Sequence, residues 1–325
     1  MGRTTLITGG AGYIGMLVAE ELLAGSHEVR VLDSLLHDQR GCADALREQG
    51  VELLVADVRD ADARAEALRG VDAVVHLAAI VGDPACAVDE PTAQAVNVVA
   101  AMAMIEDAAS AGVDRFVFAS TCSNYGRMAD PLVPVAEDGV LAPVSLYAEQ
   151  KVAVEQALFA LDPAPFAATC LRFATVYGLA PRMRFDLTVN EFTRDLWSDR
   201  RLEVFGEQFW RPYVHVRDAA RGVRTVLEAP VEDVAGAVFN VGDTAENYRK
   251  LDLVDLIRRE TERGEVAFVH RTEDPRDYKV SFAKIAERLG YAITLTVPDG
   301  IREITGALED GRFADAFDGR YRNIA

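Results

Sequence analysis

Cysteine is scarce in this chain, and no two cysteines are spaced as metal or redox motifs require. The four are Cys42, Cys86, Cys122 and Cys170, with no C-x-x-C pair among them. Structural zinc sites and dithiol redox centres are built from such closely spaced pairs. We therefore expect no metal site and four reduced thiols in a cytoplasmic protein, because reducing compartments keep thiols unpaired.

Long apolar runs are absent as well. A membrane span needs about 20 consecutive apolar residues, and no stretch of the sequence approaches that length. The chain starts with Met1-Gly2-Arg3-Thr4, which lacks the apolar segment of a secretory signal. We expect no membrane partner and no targeting segment.

Basic residues are few relative to acidic ones. The chain has 34 lysines and arginines against 52 aspartates and glutamates, a formal net charge of −18. A surface of this charge repels nucleic acid polymers and anionic membranes. A small anionic ligand would therefore need local arginines that reverse the field.

A glycine-rich turn near the start of the chain is the strongest motif. An apolar β-branched run at residues 3–7 predicts a strand, and residues 16–24 predict an amphipathic helix. Between them the glycines fit G-x-G-x-x-G from Gly10 or G-x-x-G-x-x-G from Gly9. Glycines allow the tight turn and let a pyrophosphate reach the free N–H groups of the helix. The predicted cofactor contacts in this turn are Gly9, Gly12, Tyr13, Ile14 and Gly15.

A carboxylate after the second predicted strand indicates which dinucleotide binds. Residues 28–32 form that strand, and Asp33 follows it. A carboxylate here accepts both hydroxyls of an adenosine ribose and repels a 2′-phosphate. The sequence therefore predicts NAD rather than NADP as cofactor.

The remaining chain predicts an α/β protein with a doubly wound parallel sheet, the Rossmann arrangement. Further strands are predicted at residues 51–55, 72–79 and 114–119, separated by helices, and the ligand of such a sheet lies at the strand carboxyl ends. The alternation weakens after Gly178. We expect an NAD-binding domain at 1–176 with a return segment near 214–240. Residues 177–325 would mainly form a smaller C-terminal substrate-binding lobe, including a helix at 188–197.

A tyrosine and a lysine four residues apart carry the predicted chemistry. Tyr147 and Lys151 lie on one face of a predicted helix, and Thr121 lies in a hydroxyl-rich segment after a strand. A nearby ammonium and a nicotinamide cation favour the phenolate, so they should lower the pKa of Tyr147 towards neutrality. Tyr147 would then act as a base, Thr121 would hydrogen-bond the reacting oxygen, and Lys151 would also hold the cofactor ribose. His76, inside an apolar strand, is predicted to be a core residue.

Together these motifs resemble the extended short-chain dehydrogenase/reductases of the NAD-dependent nucleotide-sugar epimerase/dehydratase family, in particular the UDP-galactose 4-epimerase-like members. The resemblance covers nearly the whole chain, and it implies a nucleoside-diphosphate sugar as substrate. It implies a homodimer made by the helices that carry Asn97 and Tyr147, the first of them long and apolar at residues 92–111. Further cofactor contacts implied by the resemblance are Asp57, Val58, Leu77, Ala78, Ala79 and Asn97. Implied or predicted substrate contacts are Ser123, Asn124, Arg184, Asn190, Arg211 and Arg276.

The reaction is inferred by elimination within that family. The 4,6-dehydratases carry Asp-Glu directly after the catalytic threonine, where this chain has Cys122 and Ser123. The acid/base pair that removes the 6-hydroxyl is therefore missing, which leaves 4-epimerisation through a 4-keto intermediate. A 4-ketoreductase, an atypical 4,6-dehydratase and a non-catalytic dinucleotide sensor stay open as alternatives, and so does Cys122 as a base.

Overall fold

The structure is a computed structural model that describes residues 2–128, 130–161, 166–269 and 276–323. Its centre is a parallel sheet of seven strands. In chain order these are β1 Thr4–Thr8, β2 Glu28–Asp33, β3 Glu52–Val55, β4 Ala73–His76, β5 Arg115–Thr121, β6 Ala167–Phe173 and, later in the chain, β10 Ala237–Val241. Their order across the sheet is β10-β6-β5-β4-β1-β2-β3. The predicted doubly wound parallel sheet is thereby confirmed.

Strand register aligns the carboxyl ends where a ligand is expected. Thr8, the last residue of β1, pairs with Leu32 on one side and His76 on the other. Alternate residues of each strand face opposite layers of helices. Leu6 and Leu32 belong to one buried cluster, whereas Ile7 and Val31 belong to the other. The sheet therefore has a core on both faces, and its free surface is the edge formed by the strand ends.

The helices around the sheet mostly follow the predicted alternation. The first seven are α1 Tyr13–Ala24, α2 Arg40–Glu48, α3 Ala61–Ala67, α4 Asp83–Val88, α5 Glu90–Gln94, α6 Ala101–Ala111 and α7 Leu146–Phe159. The predicted single helix at 92–111 is instead α5 and α6 joined by a π-helical segment, Ala95–Ala100. π-Helical segments often occur at functional sites. This one contains Asn97.

The second half of the chain adds short strands and six further helices among the described residues. The strands are β7 Thr175–Tyr177, β8 Leu202–Phe205, β9 Trp210–His215, β11 Asn247–Arg249 and β12 Val266–Val269. The helices are α8 Thr188–Trp197, α9 Val216–Glu228, α10 Val231–Val234, α11 Lys250–Thr261, α12 Ala283–Leu289 and α13 Val297–Glu309. The helix predicted at 188–197 is confirmed as α8. A separate buried cluster lies among α8, α11 and α13.

The chain returns to the main sheet after β9. Helix α9 packs on α1, and β10 pairs in parallel with β6. This return corresponds to the segment expected near 214–240, while the domain boundary at 176 stays a prediction. Within the described ranges, none of the helices combines the length and apolar character of a bilayer span.

Candidate functional site

The glycine turn packs so closely against neighbouring strands that side chains would not fit. Gly9 has φ of +72°, and a Cβ there would lie 2.9 Å from the backbone N of Ala78. A Cβ on Gly15 would lie 2.3 Å from the carbonyl O of Gly9. Gly12 is the N-cap of α1 and provides no side-chain cap. The first N–H groups of α1 are thus left for an anion, as a bound pyrophosphate requires.

Asp33 lies beside this turn, at the end of β2. Its carboxylate accepts hydrogen bonds from the backbone N–H of Ala11 at 3.0 Å and of Leu35 at 2.8 Å. Burial raises the pKa of Asp33, and the two N–H groups oppose that rise. The glycine turn and the Asp33 carboxylate therefore lie together at the edge of the sheet where β1 and β2 end. This arrangement suits an adenosine diphosphate, with its pyrophosphate at the turn and its ribose at the carboxylate.

The adenine and strand-end positions form the far side of the crevice. Asp57 pairs with Arg59 at 2.6 Å, which lowers the pKa of the Asp57 carboxyl, and Val58 is buried next to it. Leu77, Ala78 and Ala79 are partly exposed after β4. The segment at 77–79 is therefore partly accessible at the strand ends, whereas Val58 is not.

His76 is a core residue, as predicted. The residue is 1% exposed, and its ring stacks near the rings of Phe116 and Phe118. The ring Nδ1 is hydrogen-bonded with Thr8 Oγ1 at 2.9 Å. Burial lowers the pKa of His76 to about 3, so the ring is neutral. Thr8 Oγ1 also accepts from the N–H of Ala78. His76 thus helps to fix the strand end beside the crevice.

Asn97 is a buried residue of the π-helical segment, and its predicted cofactor contact stays a prediction. The side chain is 2% exposed. Its Oδ1 accepts from the N–H of Ile80 at 2.7 Å, and its Nδ2 donates to Ile80 O and to Gln150 Oε1. The π-helical segment directs this amide at the backbone that follows β4. Asn97 therefore positions the crevice wall.

Tyr13 and Asn190 form a buried pair, and the predicted substrate contact of Asn190 stays a prediction. Tyr13 Oη donates to Gly178 O at 2.6 Å and accepts from Asn190 Nδ2. Asn190 is fully buried, and its amide also bonds Gly178 N and Arg184 O. Both ends of the Asn190 amide and the Tyr13 hydroxyl are therefore engaged in protein hydrogen bonds in the structure.

Tyr147 and Lys151 come together on α7, facing the end of β5. Lys151 is buried, and its Nζ donates a hydrogen bond to Ala119 O at 2.9 Å. The same Nζ lies 5.8 Å from the centroid of the Tyr147 ring. Burial lowers the pKa of Lys151 to about 8. Burial also raises the pKa of Tyr147, which Arg184 partly counteracts. In the protein without cofactor, desolvation of the phenolate thus outweighs nearby positive charge, and the lowering expected when a nicotinamide cation is also bound stays a prediction.

Thr121 ends β5 with its hydroxyl at the crevice. The Oγ1 atom accepts the N–H of Ser123 at 3.1 Å, so the hydroxyl hydrogen remains able to donate to a substrate oxygen. Thr121 and Ser123 are partly exposed, whereas Cys122 between them is buried. The Cys122 thiol donates to Arg172 O, and burial raises its pKa well above the ordinary value. Cys122 as a catalytic base is thereby contradicted.

Asn124 is buried, and its predicted substrate contact stays a prediction. The side chain is 0% exposed, and its Nδ2 donates to Ser120 Oγ and to Glu155 Oε1. Its backbone belongs to the short turn after β5 that points the amide into the protein. The alternation of residues through that turn brings Ser123 out and Asn124 in.

The predicted arginines approach the crevice from separate elements. Arg184 is held by two bonds to Asp186 and lies close enough to Tyr147 to lower the pKa of its phenol. Arg211 lies 5.4 Å from the ring centroid of Tyr278. Arg276 pairs with Asp83 of α4 at 3.1 Å, and both side chains are about one-third exposed.

Tyr278 connects these groups and was missed by the sequence reasoning. It is buried, and Arg211, Ser123 and Arg276 are all near enough to influence the pKa of its phenol, which burial raises. Its position two residues after Arg276 was the only available signal. The loop containing Asp83, which had no interpretation from sequence, faces the same region.

A buried carboxylate on α7 was also missed. Glu155 is one turn after Lys151 and two turns after Tyr147. It accepts from Ser120 Oγ, from Asn124 Nδ2, and from Arg172 through Nε and Nη2. This network joins α7 to the ends of β5 and β6. The spacing i, i+4, i+8 from Tyr147 would have placed Glu155 on the same helix face.

Comparisons with known proteins agree with this geometry. The family model described as the NAD dependent epimerase/dehydratase family matches residues 5–242. A Bacillus subtilis protein named as an uncharacterized UDP-glucose epimerase, YtcB, is 30% identical over 311 residues, covering 91% of this chain and 95% of the relative.

Two solved structures share both the fold and some sequence. The Thermus thermophilus UDP-glucose 4-epimerase complex with NAD has a TM-score of 0.83 at 26% identity and covers 94% of this chain and 99% of its own. The Streptomyces venezuelae DesIV structure, a dTDP-glucose 4,6-dehydratase with NAD and TYD bound, has a TM-score of 0.84 at 27% identity. It covers 95% of this chain and 98% of its own.

Proposed function

We propose a reaction for this chain from the premise that it belongs to the NAD dependent epimerase/dehydratase family. The proposed activity is 4-epimerisation of a nucleoside-diphosphate sugar through a transient 4-keto intermediate. The observation that supports it is that Lys151, 5.8 Å from the Tyr147 ring, bonds Ala119 O two residues before Thr121 at the end of β5, with no carboxylate in the two positions after the threonine. The relatives named as 4-epimerases support this choice at low identity.

NAD, the cofactor of the family, fits the residues of the crevice. Its pyrophosphate would take the uncapped start of α1 at residues 12–15, and its adenosine ribose would take Asp33. The adenine would lie by Asp57 and Val58, and the backbone at 77–79 would face the rest of the molecule. Lys151 would donate to the nicotinamide ribose. When bound, NAD supplies the acceptor and donor of a hydride.

The residues of the chain move the proton in this proposal. Thr121 donates its hydroxyl hydrogen to the C4 oxygen of the sugar and orients it. Tyr147 takes the C4 hydroxyl proton as a phenolate and later returns it as a phenol. Lys151 lies 5.8 Å from the ring of Tyr147 and adds positive charge that favours the phenolate.

For elimination of the sugar 6-hydroxyl, the dehydratase step, two carboxylates of the described part of the chain are candidates, and each has a basic partner. Glu155 is buried in a pair with Arg172, and Asp83 is paired with Arg276. Cys122 is a buried thiol with a raised pKa. The 4-keto sugar would instead turn in the crevice and take the hydride on its other face.

The diphosphate of the substrate would be held by arginines. Arg211 and Arg276 surround Tyr278, and Arg184 lies toward Tyr147. Guanidinium groups bind phosphate oxygens in bidentate fashion. These side chains would provide the positive field that a protein of net charge −18 otherwise lacks.

A homodimer is part of the proposal. Val99 in the π-helical segment is 60% exposed and Phe159 at the end of α7 is 36% exposed, so apolar side chains remain at the surface of both helices. A second copy packing there would cover them. The four cysteines are free and buried, which fits a reducing compartment such as the cytoplasm.

Product analysis tests the proposed reaction. The purified protein is incubated with UDP-glucose and with dTDP-glucose, each deuterated at C4, and the sugars are identified by NMR. A 4-epimerase yields the C4 epimer with deuterium kept at C4. A 4-keto-6-deoxy product would replace the proposal by 4,6-dehydration, and release of a 4-keto sugar with equimolar reduction of added oxidised cofactor would indicate a ketoreductase running in reverse.

Tyr147→Phe is the matching variant. Turnover should be lost while NAD released by heat stays near one per chain, because the ring is kept and only the acidic oxygen is removed. Tyr291→Phe is the control, since the Tyr291 hydroxyl donates to Asp218 O away from the crevice. Equal loss in both variants, or activity retained in Tyr147→Phe, would refute the role of Tyr147. Binding of NAD without turnover in the parent protein would indicate a sensor.

A further inference from the structure

The last described segment of the chain is tied to the basic loop beside the cofactor crevice. Three aromatic rings, those of Phe185, Phe313 and Tyr321, pack edge to face with centroids 5.0 to 5.6 Å apart. The N–H of Phe185 donates to Tyr321 O at 2.8 Å. Residues 313–323, called the strap below, thus cover the loop at 182–186 from outside.

Two further bonds carry the strap on towards the crevice. Arg182 Nη2 donates to Arg322 O at 3.0 Å, and the N–H of Asn323 donates to Asp186 Oδ2 at 3.1 Å. Arg182 is buried and close to Asp33, since their charges influence each other's pKa. The strap therefore ends beside the carboxylate assigned to the adenosine ribose.

Asn323 lines a cavity over the strand ends. The cavity has a volume of about 230 Å³ and lies between the segments that follow β2 and β4, with Leu36 and His37 on one side and Ile80 and Val81 on the other. Since β1 lies between β2 and β4 in the sheet, this cavity is above the glycine turn. Asn323 is the residue of the strap that lines the wall of this cavity.

The side chain of Asn323 has an unused acceptor. Its Oδ1 is buried and has no hydrogen-bond partner among the described residues. Leaving a buried acceptor unpaired costs about 1–3 kcal/mol, so such an atom indicates a missing donor. Ribose hydroxyls and the adenine amino group are the donors that a dinucleotide would bring to this place.

We propose that the strap closes the cofactor crevice at the adenosine end, that Asn323 is a cofactor-contacting residue, and that the strap slows release of NAD. The strap lies outside the family match, which ends at residue 242. The inference rests on the NAD placement proposed above. It accounts for how the chain would keep one cofactor through repeated turnovers.

Cofactor release measures the strap directly. Protein loaded with radiolabelled NAD is mixed with excess unlabelled NAD, and label retained on the protein is followed with time. Tyr321→Ala should release NAD about tenfold faster, and Asn323→Ala several-fold faster. Phe268→Ala removes an exposed aromatic ring from β12 and should leave the rate unchanged. Release within twofold of the parent in both strap variants would overturn the proposal.

A second measurement uses the unaltered protein and so does not depend on variant folding. Trypsin cleavage after Arg320 and Arg322 is timed with and without NAD. Binding of NAD should slow cleavage at these arginines, because the strap then has a partner on its inner side. Equal cleavage rates would also overturn the proposal. Neither measurement uses sugar turnover, so a strap without effect and a wrong reaction assignment give different results.

Discussion

Replacing Glu155 by glutamine should destabilise the protein and reduce its activity together. Glu155 and Arg172 are 4% and 5% exposed, and the carboxylate accepts from Nε and Nη2 of the guanidinium. Glutamine keeps the shape but removes the charge. The Arg172 guanidinium, whose pKa Glu155 raises, would then be buried without its counter-ion.

The size of the effect follows from burial. Removing one partner of a buried ion pair costs about 3–5 kcal/mol, because the remaining charge cannot regain its hydration. With an unfolding entropy of about 2.1 cal/mol/K per residue, a chain of 325 residues should lose about 4–7 °C in Tm. Ser120 loses a charged acceptor too, and Thr121 follows it directly, so kcat should fall.

Thermal unfolding of NAD-loaded protein, with kcat measured on the same samples, is the assay. Asp252→Asn is the control, since the Arg249–Asp252 pair is 39% and 26% exposed and such pairs contribute about 0–1 kcal/mol. A Tm loss in Glu155→Gln no larger than in this control would show that the buried pair is not stabilising α7 against β5. An unchanged kcat would show that the hydrogen bonds around Glu155 do not position Thr121 for the reaction.

Three further predictions concern charge in the crevice. Lys151 has a pKa of about 8 in the folded protein against about 10.4 in the unfolded chain, so the unfolded state binds more protons between these pH values and the contribution of Lys151 to stability rises with pH there. The Tm of the parent minus the Tm of Lys151→Met should therefore increase from pH 7.5 to pH 10. A constant difference would contradict the buried ammonium. Tyr147 should have a pKa above the ordinary value without cofactor, and a lower pKa with oxidised NAD bound than with reduced NAD bound. Its titration is followed by ultraviolet absorbance and is identified as the one that is lost in Tyr147→Phe. Equal pKa values in the two complexes would contradict the proposed influence of the nicotinamide charge on the phenol. Asp83→Asn should lower KM for the nucleotide sugar by up to about fivefold, because Arg276 would no longer have to break a partly exposed ion pair that contributes about 0–1 kcal/mol. A raised KM would show that the pair supports binding.

The fold could be predicted because the information is local. Five apolar runs recur along the first half of the chain, and each corresponds to a strand of one parallel sheet. Helix α8 was predicted to the residue, whereas the π-helical segment at Ala95–Ala100 was not predicted.

Side-chain direction was the information that the sequence lacked. Asn97, Asn124 and Asn190 all lie beside the crevice, as expected, but each amide points into the protein and bonds backbone or buried polar groups. An asparagine near a site has the same sequence appearance whether it contacts a ligand or fixes a loop. Only the long-range partners, such as Ile80 for Asn97, distinguish the two.

The pKa directions at Tyr147 and Lys151 bear on how Tyr147 could serve the proposed reaction. Burial raises the pKa of the phenol, so the protein alone favours the neutral phenol, whereas the pKa of Lys151, lowered to about 8, leaves its ammonium mostly charged at neutral pH. Tyr147 therefore becomes a base only while additional positive charge lies near it, and becomes an acid again when that charge is lost. An epimerase needs both states of Tyr147 in each turnover, first to remove the C4 proton and then to return it. The buried ammonium of Lys151, 5.8 Å from the ring of Tyr147, favours the phenolate that the first of these steps requires.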